Sequence, residues 1–271
     1  MFRSSVIEPV DSDAPLAWTL ALGTRELVGP VLDRMNRLVP PERTLAVVAS
    51  GQATPAALAG RCHHVFCEPA PRNSGMALFV ALAMIKRWNP GAIVTITPTD
   101  ADMAPAGRYL EQVRSARGVA ARMRDRVVIL GAPPTGPDPE LGYLSLGDRL
   151  VDVPHVRSVV GFVDKPSPEV ASELHARGAL WSTMVACGTV GALWELGRAT
   201  EPHLLDILDS LVPLVGTPDE DDAIDYVYRA YLPVSFPRDV LERGATALCA
   251  IALDGVAWTP RAAEPAVALH G

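Results

Sequence analysis

The chain has 271 residues, of which 49% are hydrophobic and 20% charged, and this composition excludes a disordered or fibrous protein. Its formal net charge of -7 argues against broad binding of nucleic acid or of a membrane surface. An anionic ligand would therefore need a local cluster of positive charge.

No apolar stretch approaches the roughly 20 residues that are needed to cross a bilayer, and the first residues do not resemble a signal peptide. We therefore expect a cytoplasmic protein that binds neither membranes nor nucleic acid. Its four cysteines should be reduced thiols. Two of them, Cys62 and Cys67, flank a pair of histidines, but no second ligand pair follows and no zinc site is expected.

Helical and extended patterns alternate along the chain. In the first half of the chain the sequence predicts a helix over residues 24–38 capped by Thr24, a strand over 44–49, a helix over 73–88, a strand over 93–100 and a helix over 106–123. A strand over 126–131 follows, then a proline-rich loop over 132–139 and a strand that ends at 164. The remaining elements are a helix over 167–178, a strand over 180–185, helices from 190 to 231 with a break near 216, and a strand over 246–253.

This alternation predicts the α/β class, with a Rossmann-like, mostly parallel sheet that is flanked by helices on both faces. The length fits one domain over residues 1–271. Its first 14 residues are atypical.

Two predicted strands end in acidic residues. Residues 160–166 read Val-Gly-Phe-Val-Asp-Lys-Pro, and the strand over 93–100 ends at Asp100. Such strand ends lie at the rim of an α/β sheet, where ligands usually bind. Lys165 suits a phosphate group, because its ammonium is a compact cationic donor. The alternative is a surface ion pair at a turn that ends the strand.

Seven sets of short motifs, spread from about residue 15 to about residue 260, occur in a recognisable order. They are residues 68–74, 98–100, 130–135 with 141–143, 162–166, 180–183, 235–236 and 258–259. In this order they resemble the mannose-1-phosphate guanylyltransferase family of the sugar-phosphate nucleotidyltransferase superfamily.

The resemblance implies an enzyme that joins a nucleoside triphosphate to a sugar 1-phosphate and releases pyrophosphate. Catalysis would come from positioning and from charge neutralisation by Mg²⁺ and lysine. By this resemblance Asp100 would bind Mg²⁺, and Lys165 would hold the sugar phosphate. The remaining implied contacts are Glu68, Arg72 and Asn73 with the nucleotide, and Gly142, Tyr143, Asp164 and Trp181 with the sugar.

The family pattern is altered at several positions. Asp164 replaces the family's glutamate, and Ser182 stands where the family usually has an asparagine. The family also opens with a strand and a glycine-rich loop that is followed by Pro-Lys. Here no glycine precedes Gly23, and we place Pro15-Leu16 where Pro-Lys would fall. A loop without glycine cannot bring its amides as close to phosphates.

Residues 22–27 contain Gly-Thr-Arg and resemble a surviving phosphate loop, but we interpret Thr24 as a helix cap. At the other end of the chain Pro260 occupies the place of an aspartate that completes the family's metal site. Asp100 alone is a poor ligand set for Mg²⁺.

Three hypotheses follow. The first is a domain that binds a nucleotide sugar or sugar phosphate, or a protein partner, and is catalytically impaired. The second is an active enzyme that makes GDP-mannose from GTP and mannose 1-phosphate. The third is an interaction module in which Trp181 and Tyr143 are core aromatic residues. We favour the first.

Overall fold

The computed structural model describes residues 16–23, 25–49, 58–70 and 72–260. The strands are β1 (Ala17–Gly23), β2 (Thr44–Val48), β3 (His64–Cys67), β4 (Ile93–Pro98), β5 (Ala101–Ala104), β6 (Val127–Ala132), β7 (Tyr143–Leu150), β8 (Val153–Val163), β9 (Leu180–Thr189), β10 (Leu248–Ala252) and β11 (Ala257–Pro260). The helices are α1 (Arg25–Met35), α2 (Asn73–Trp88), α3 (Ala106–Arg122), α4 (Pro168–Ala176), α5 (Val190–Thr200), α6 (Pro202–Leu211) and α7 (Glu220–Ala230), followed by a short helical segment of π type (Phe236–Glu242).

Nine strands form one sheet in the order β3-β2-β1-β4-β9-β6-β10-β8-β7, and β7 also pairs with the start of β9. Strands β8 and β9 run antiparallel to their neighbours, whereas β1, β2, β3, β4, β6 and β10 all point the same way. The carboxyl ends of these six strands therefore share one edge, which we call the carboxyl edge. Strands β5 and β11 form a separate two-stranded sheet.

The main sheet is covered on both faces. On one face α2 packs with α5, α6 and α7, and every residue of α2 from 75 to 85 is buried. A helix that is apolar all round is typical of such an enclosed position. On the other face α1 and α3 pack with part of α4. We call these two faces the α2 face and the α1 face.

The predicted α/β class and its sheet flanked by helices are confirmed, with a more mixed sheet than the sequence indicated. The sequence also failed to indicate five of the strands, β1, β3, β5, β7 and β11. Within the described residues, no helix combines the length and apolarity that spanning a membrane requires.

Candidate functional site

The carboxyl edge is the place where this fold positions polar side chains. Strand β4 ends at Pro98, and Asp100 follows it as an exposed residue. Glu68 follows β3, and its N–H continues the sheet by donating to the carbonyl of Val48 at 3.0 Å. Sheets of this type usually bind ligands at this edge, near the strand where the chain order reverses. Here the reversal lies at β1, between β2 and β4.

The connection after β1 is very short. β1 ends at Gly23 and α1 begins at Arg25, so a single residue separates them. Thr99 is 2% exposed and packs over Gly23, where an added Cβ would lie 1.5 Å from the Oγ1 of Thr99. The Thr99 N–H also donates to the carbonyl of Leu22 at 3.1 Å. Thr99 therefore packs directly against the end of β1.

One prediction about the start of the chain is wrong. The sequence pattern puts Pro15-Leu16 after a lost phosphate loop, but Leu16 directly precedes β1, and its carbonyl accepts from the N–H of Ile93 at 3.0 Å. Leu16 therefore lies at the edge of the sheet opposite the carboxyl edge. Pro15 and the proposed cap Thr24 lie outside the described residues.

Asp100 has an unusual neighbour in the small sheet. Strands β5 and β11 pair antiparallel, with Ala101 opposite Pro260. The chain thus brings Pro260 beside Asp100, although proline offers no side-chain ligand and no N–H donor. Within the described part of the chain, no group of three or more His, Cys, Asp and Glu side chains is arranged to hold a metal ion.

Three residues assigned to the nucleotide lie in the stretch from the end of β3 to the first residue of α2. The Tyr228 hydroxyl donates to Glu68 Oε1 at 3.2 Å. Burial raises the pKa of Glu68, while this hydrogen bond opposes the change. Arg72 precedes α2, and its carbonyl accepts from the Val234 N–H at 3.2 Å. Asn73 begins α2 as an exposed residue with a φ of 63°, a left-handed conformation that asparagine tolerates better than most residues.

Asp164 and Lys165 directly follow β8. Although β8 runs antiparallel to β10, its last residue, Val163, pairs with Tyr143, which pairs with Trp181 opposite Ala132 at the carboxyl end of β6. The Asp164 side chain is 12% exposed, and its Oδ2 lies 3.9 Å from Arg238 Nη2. Its backbone N–H donates to Glu242 Oε2 at 3.2 Å. Burial raises the pKa of Asp164, and the positive charges of Arg238 and Lys165 only partly offset this effect.

Lys165 is exposed and has a φ of 49°, which is rare for a residue with a side chain. Its Nζ lies 3.5 Å from Glu140 Oε2 in an exposed ion pair that is expected to be weak. The sequence contains only one other lysine, Lys86, against 22 arginines. Lys86 serves elsewhere, stacking on Trp194 at 3.8 Å and pairing with Asp209 at 3.1 Å.

Comparisons with known proteins show which sequences and folds this chain resembles. No family model matches the sequence. The alginate biosynthesis protein AlgA of Pseudomonas putida is 30% identical over 170 residues, which are 61% of this chain and 33% of that protein. A solved structure of mannose-1-phosphate geranyltransferase from Thermus thermophilus superimposes with a TM-score of 0.76 at 25% identity, over 90% of this chain and 75% of that one. The chain is a relative of the mannose-1-phosphate guanylyltransferases.

A structure of mannose-6-phosphate isomerase from Helicobacter pylori superimposes with a TM-score of 0.73 at 15% identity, over 90% of this chain and 99% of that one, and supports the fold alone. The chain spans about a third of the length of the curated relative it matches. The predicted kinship with the guanylyltransferases is confirmed, and the domain is of the sugar-phosphate nucleotidyltransferase type.

One segment connects the two groups of predicted site residues in this guanylyltransferase relative. The Gly75 N–H donates to the Val234 carbonyl at 2.9 Å, so the start of α2 holds the chain just before the helical segment Phe236–Glu242. That segment then contacts Asp164 through Arg238. Sequence reasoning missed Arg238, which lies outside the short motifs. Its only local signal is a Ser235 cap, whose Oγ accepts from the Arg238 N–H at 3.4 Å.

The residues assigned to the sugar are divided between the two faces of the sheet. The Gly142 carbonyl accepts from the Ser182 N–H at 2.7 Å, and a Cβ on Gly142 would lie 3.0 Å from the Phe162 ring. Ser182 follows Trp181 in β9, and successive residues of a strand point to opposite faces. Trp181 belongs to the core on the α1 face, whereas Leu180 and Phe162 belong to the core on the α2 face. The fold therefore does not bring the Trp181 ring to the side of Ser182.

Tyr143 has a structural position. Its ring is fully buried, its hydroxyl accepts from the Asp138 N–H at 2.7 Å, and the same hydroxyl donates to the Asp138 carbonyl at 3.1 Å. These bonds fix the proline-rich loop against β7. A ligand could meet the backbone near Tyr143 but not its ring.

Proposed function

We propose that this domain binds a sugar 1-phosphate or a nucleotide sugar at the carboxyl edge and no longer transfers nucleotides efficiently. The observation that carries the proposal is the connection from β1 to α1, which has one residue between Gly23 and Arg25. Relatives hold the triphosphate in a long glycine-rich loop, and a one-residue connection cannot form one.

The short connection has an energetic consequence. Phosphates are stabilised by several backbone amides that converge on them, as in other phosphate-binding loops. Thr99 occupies the position that a side chain on Gly23 would take at the end of β1. Removal of a single donor that stabilises transition-state charge commonly costs about 10²–10³ in rate. Loss of the whole loop therefore disfavours efficient catalysis.

Mg²⁺ fits this site poorly. Asp100 is one carboxylate, and Pro260 beside it adds none. Mg²⁺ in nucleotide sites is usually held by one or two carboxylates together with phosphates and water. A bound Mg²⁺ would neutralise phosphate charge. One protein carboxylate would hold it weakly, because no loop of backbone amides binds a triphosphate that could supply further ligands. We therefore assign no reaction step to it.

The groups that could bind a sugar phosphate are present in the structure. Lys165 projects from the strand end in an exposed position, and its weak ion pair with Glu140 can exchange for a phosphate. The Asp164 carboxylate can accept hydrogen bonds from sugar hydroxyls. Arg238 sits beside Asp164 and adds positive charge. Lys165 and Arg238 are the cations that an anionic group would meet here, and the neighbouring carboxylates of Asp239 and Glu242 limit the net positive charge.

A turnover assay tests the lost-catalysis part of the proposal. The protein is incubated with GTP, mannose 1-phosphate and Mg²⁺, and pyrophosphate is measured. We expect no release above that of a blank without protein. Robust release that disappears in Asp100→Ala would instead establish an active enzyme that makes GDP-mannose, which is the alternative function.

A lysine-specific probe tests the binding part. Reductive methylation with ¹³C-formaldehyde labels Lys165, Lys86 and the terminal amine, and it keeps the positive charge of each lysine. We expect mannose 1-phosphate and GDP-mannose to shift the dimethyl resonance of Lys165. The Lys86 resonance, assigned with Lys86→Arg, is the internal control.

Thermal shifts with the same ligands complement this probe, because a ligand that binds only the folded state raises Tm. Lys165→Ala should abolish the shift. If neither the Lys165 resonance nor Tm responds at millimolar ligand, the domain is an interaction module and not a sugar-phosphate-binding protein.

A further inference from the structure

Two arginine side chains reach in between the sheet and the helices α1 and α3. Arg117 of α3 is 9% exposed, and it donates from Nε to Thr95 Oγ1 at 2.8 Å and from Nη2 to Thr19 Oγ1 at 3.3 Å. These hydroxyl groups on β4 and β1 are neutral, so they accept hydrogen bonds without balancing the charge. Arg34 of α1 lies over the Tyr109 ring, with its Cζ 5.2 Å from the ring centroid. Among the described residues, no carboxylate is within ion-pair distance of either guanidinium group.

Three hydrogen-bond donors in this region have no acceptor. The Nε and Nη2 atoms of Arg34 and the hydroxyl of Tyr109 are buried, and no group in the described part of the chain is hydrogen-bonded to them. The N–H groups of a guanidinium lie in its plane, so contact with the face of the Tyr109 ring does not satisfy them. Thr97 is near the Tyr109 hydroxyl but outside hydrogen-bond geometry. Because buried polar groups are nearly always hydrogen-bonded, these three donors call for an acceptor.

The acidic groups nearest to Arg117 do not balance its charge. Burial raises the pKa of Tyr109 to about 12 and also raises the pKa of Cys187, so the phenol and the thiol are both uncharged at neutral pH. Burial lowers the pKa of Arg117, and the positive charges of Arg114 and Arg43 lower it further. A buried charge without a partner is unfavourable, so an anion from solution would stabilise this cluster.

We propose that Arg34, Tyr109 and Arg117 bind a small monovalent inorganic anion of the chloride type between α1 and α3. The anion accepts from the Nε and Nη2 of Arg34 and from the Tyr109 hydroxyl, and Arg117 adds positive charge from the side of the sheet. Both guanidinium groups act on the Tyr109 hydroxyl electrostatically, which places the three groups in one cluster. A phosphate fits less well, because its oxygen atoms need more donors than are free here. Arg34 is partly exposed, so the site borders on solvent.

Two measurements on the intact protein test the proposal. Bromide replaces chloride and scatters X-rays anomalously, so crystals grown with sodium bromide should show an anomalous difference peak in contact with Arg34 and the Tyr109 hydroxyl. In solution, Tm at fixed ionic strength should be higher in sodium chloride than in sodium gluconate, whose anion is too large for the site. We expect a difference of about 3 °C when chloride is present at about ten times its Kd.

Variants assign the effect to these residues. Arg34→Met should remove the chloride-dependent difference in Tm, and Tyr109→Phe, which deletes one donor and keeps the ring, should weaken chloride binding by about fivefold. Arg37→Met is the matched control, because Arg37 is an exposed arginine just beyond α1, and it should keep the difference. The proposal is overturned if no bromide peak lies at Arg34 and Tyr109, if Arg34→Met keeps the difference in Tm, or if Arg37→Met also removes it. A bromide peak without a chloride-dependent Tm identifies an adventitious ion only and overturns the proposal as well.

Discussion

Thr99 packs directly on Gly23, so that only a residue without a side chain fits at the end of β1. The oxygen, Cβ and methyl carbon of Thr99 would lie 1.5, 2.6 and 2.8 Å from a Cβ placed on Gly23. Rotation of the threonine side chain cannot relieve all three contacts, because its Cβ is fixed by the backbone. Packing against Thr99 alone therefore requires glycine at position 23.

Gly23→Ala should destabilise the protein by about 1–3 kcal/mol, the usual cost of adding a methyl group to a well-packed interior. Urea denaturation monitored by tryptophan fluorescence measures the change. Thr99→Gly supplies the partner for a double-mutant cycle. Because it removes the clashing atoms, the double variant should be more stable than the sum of the single effects predicts, by about 0.5–3 kcal/mol. Additive effects would show that the two residues do not compete for the same space.

Lys165 combines a left-handed backbone with a charged side chain, and substitutions should separate the two. Lys165→Gly relieves the strained conformation, which costs a residue with a side chain roughly 1–3 kcal/mol. Lys165→Ala keeps the strain and removes the charge. We expect Lys165→Gly to be the more stable of the two by about 1 kcal/mol, while both lose the thermal shift with mannose 1-phosphate. Equal Tm values for the two variants would contradict the strain argument.

Asp164 should give the protein a distinct dependence of stability on pH. Burial raises the folded-state pKa of Asp164 above the unfolded value near 3.9. The folded state therefore binds the proton more tightly. The stabilisation by protonated Asp164 is complete below the unfolded pKa and is lost as pH rises through the folded pKa. At neutral pH the burial of the Asp164 charge therefore lowers the free energy of unfolding.

Asp164→Asn should accordingly be more stable than the unmodified protein at pH 7, with the difference shrinking as the pH falls towards about 4. Urea denaturation across this pH range measures it. Asp148→Asn, on the exposed part of the β7–β8 hairpin, controls for the loss of one negative charge. A variant that is less stable at pH 7 would mean that the attraction to Arg238 and Lys165 outweighs burial.

The sequence predicted best where local patterns suffice. The helix over 73–88 was predicted with the bounds of α2, because its apolar run is continuous and Pro90 follows it. The helix predicted over 167–178 contains α4. At its start the Ser167 Oγ accepts from the Val170 N–H at 3.4 Å, and just beyond its end Gly178 has a φ of 73°. Capping and glycine conformation are determined by neighbouring residues.

Features that depend on strand pairing between residues far apart in the sequence were not predicted. β1 is rich in alanine and leucine, which favour helices as readily as strands, and its position is set by β2 and β4 on either side. The face on which Trp181 lies is fixed by the register of β9 against β6, where Trp181 pairs with Ala132. No local pattern contains that register. The functional motifs could thus be recognised in the sequence, but their division between two faces could not.

Pro260 offers a test of the proposal that this domain does not transfer nucleotides efficiently. Pro260→Asp places a second carboxylate opposite Ala101 and beside Asp100. We expect Mn²⁺, measured as a paramagnetic substitute for Mg²⁺ by water proton relaxation, to bind at least tenfold more tightly, a gain of about 1.4 kcal/mol. Asp100→Ala in the same background should remove this gain. Pyrophosphate release from GTP and mannose 1-phosphate should remain absent, because the connection from β1 to α1 still offers no cradle for the triphosphate. Turnover in Pro260→Asp would show that the metal site, and not the missing loop, was the limiting loss.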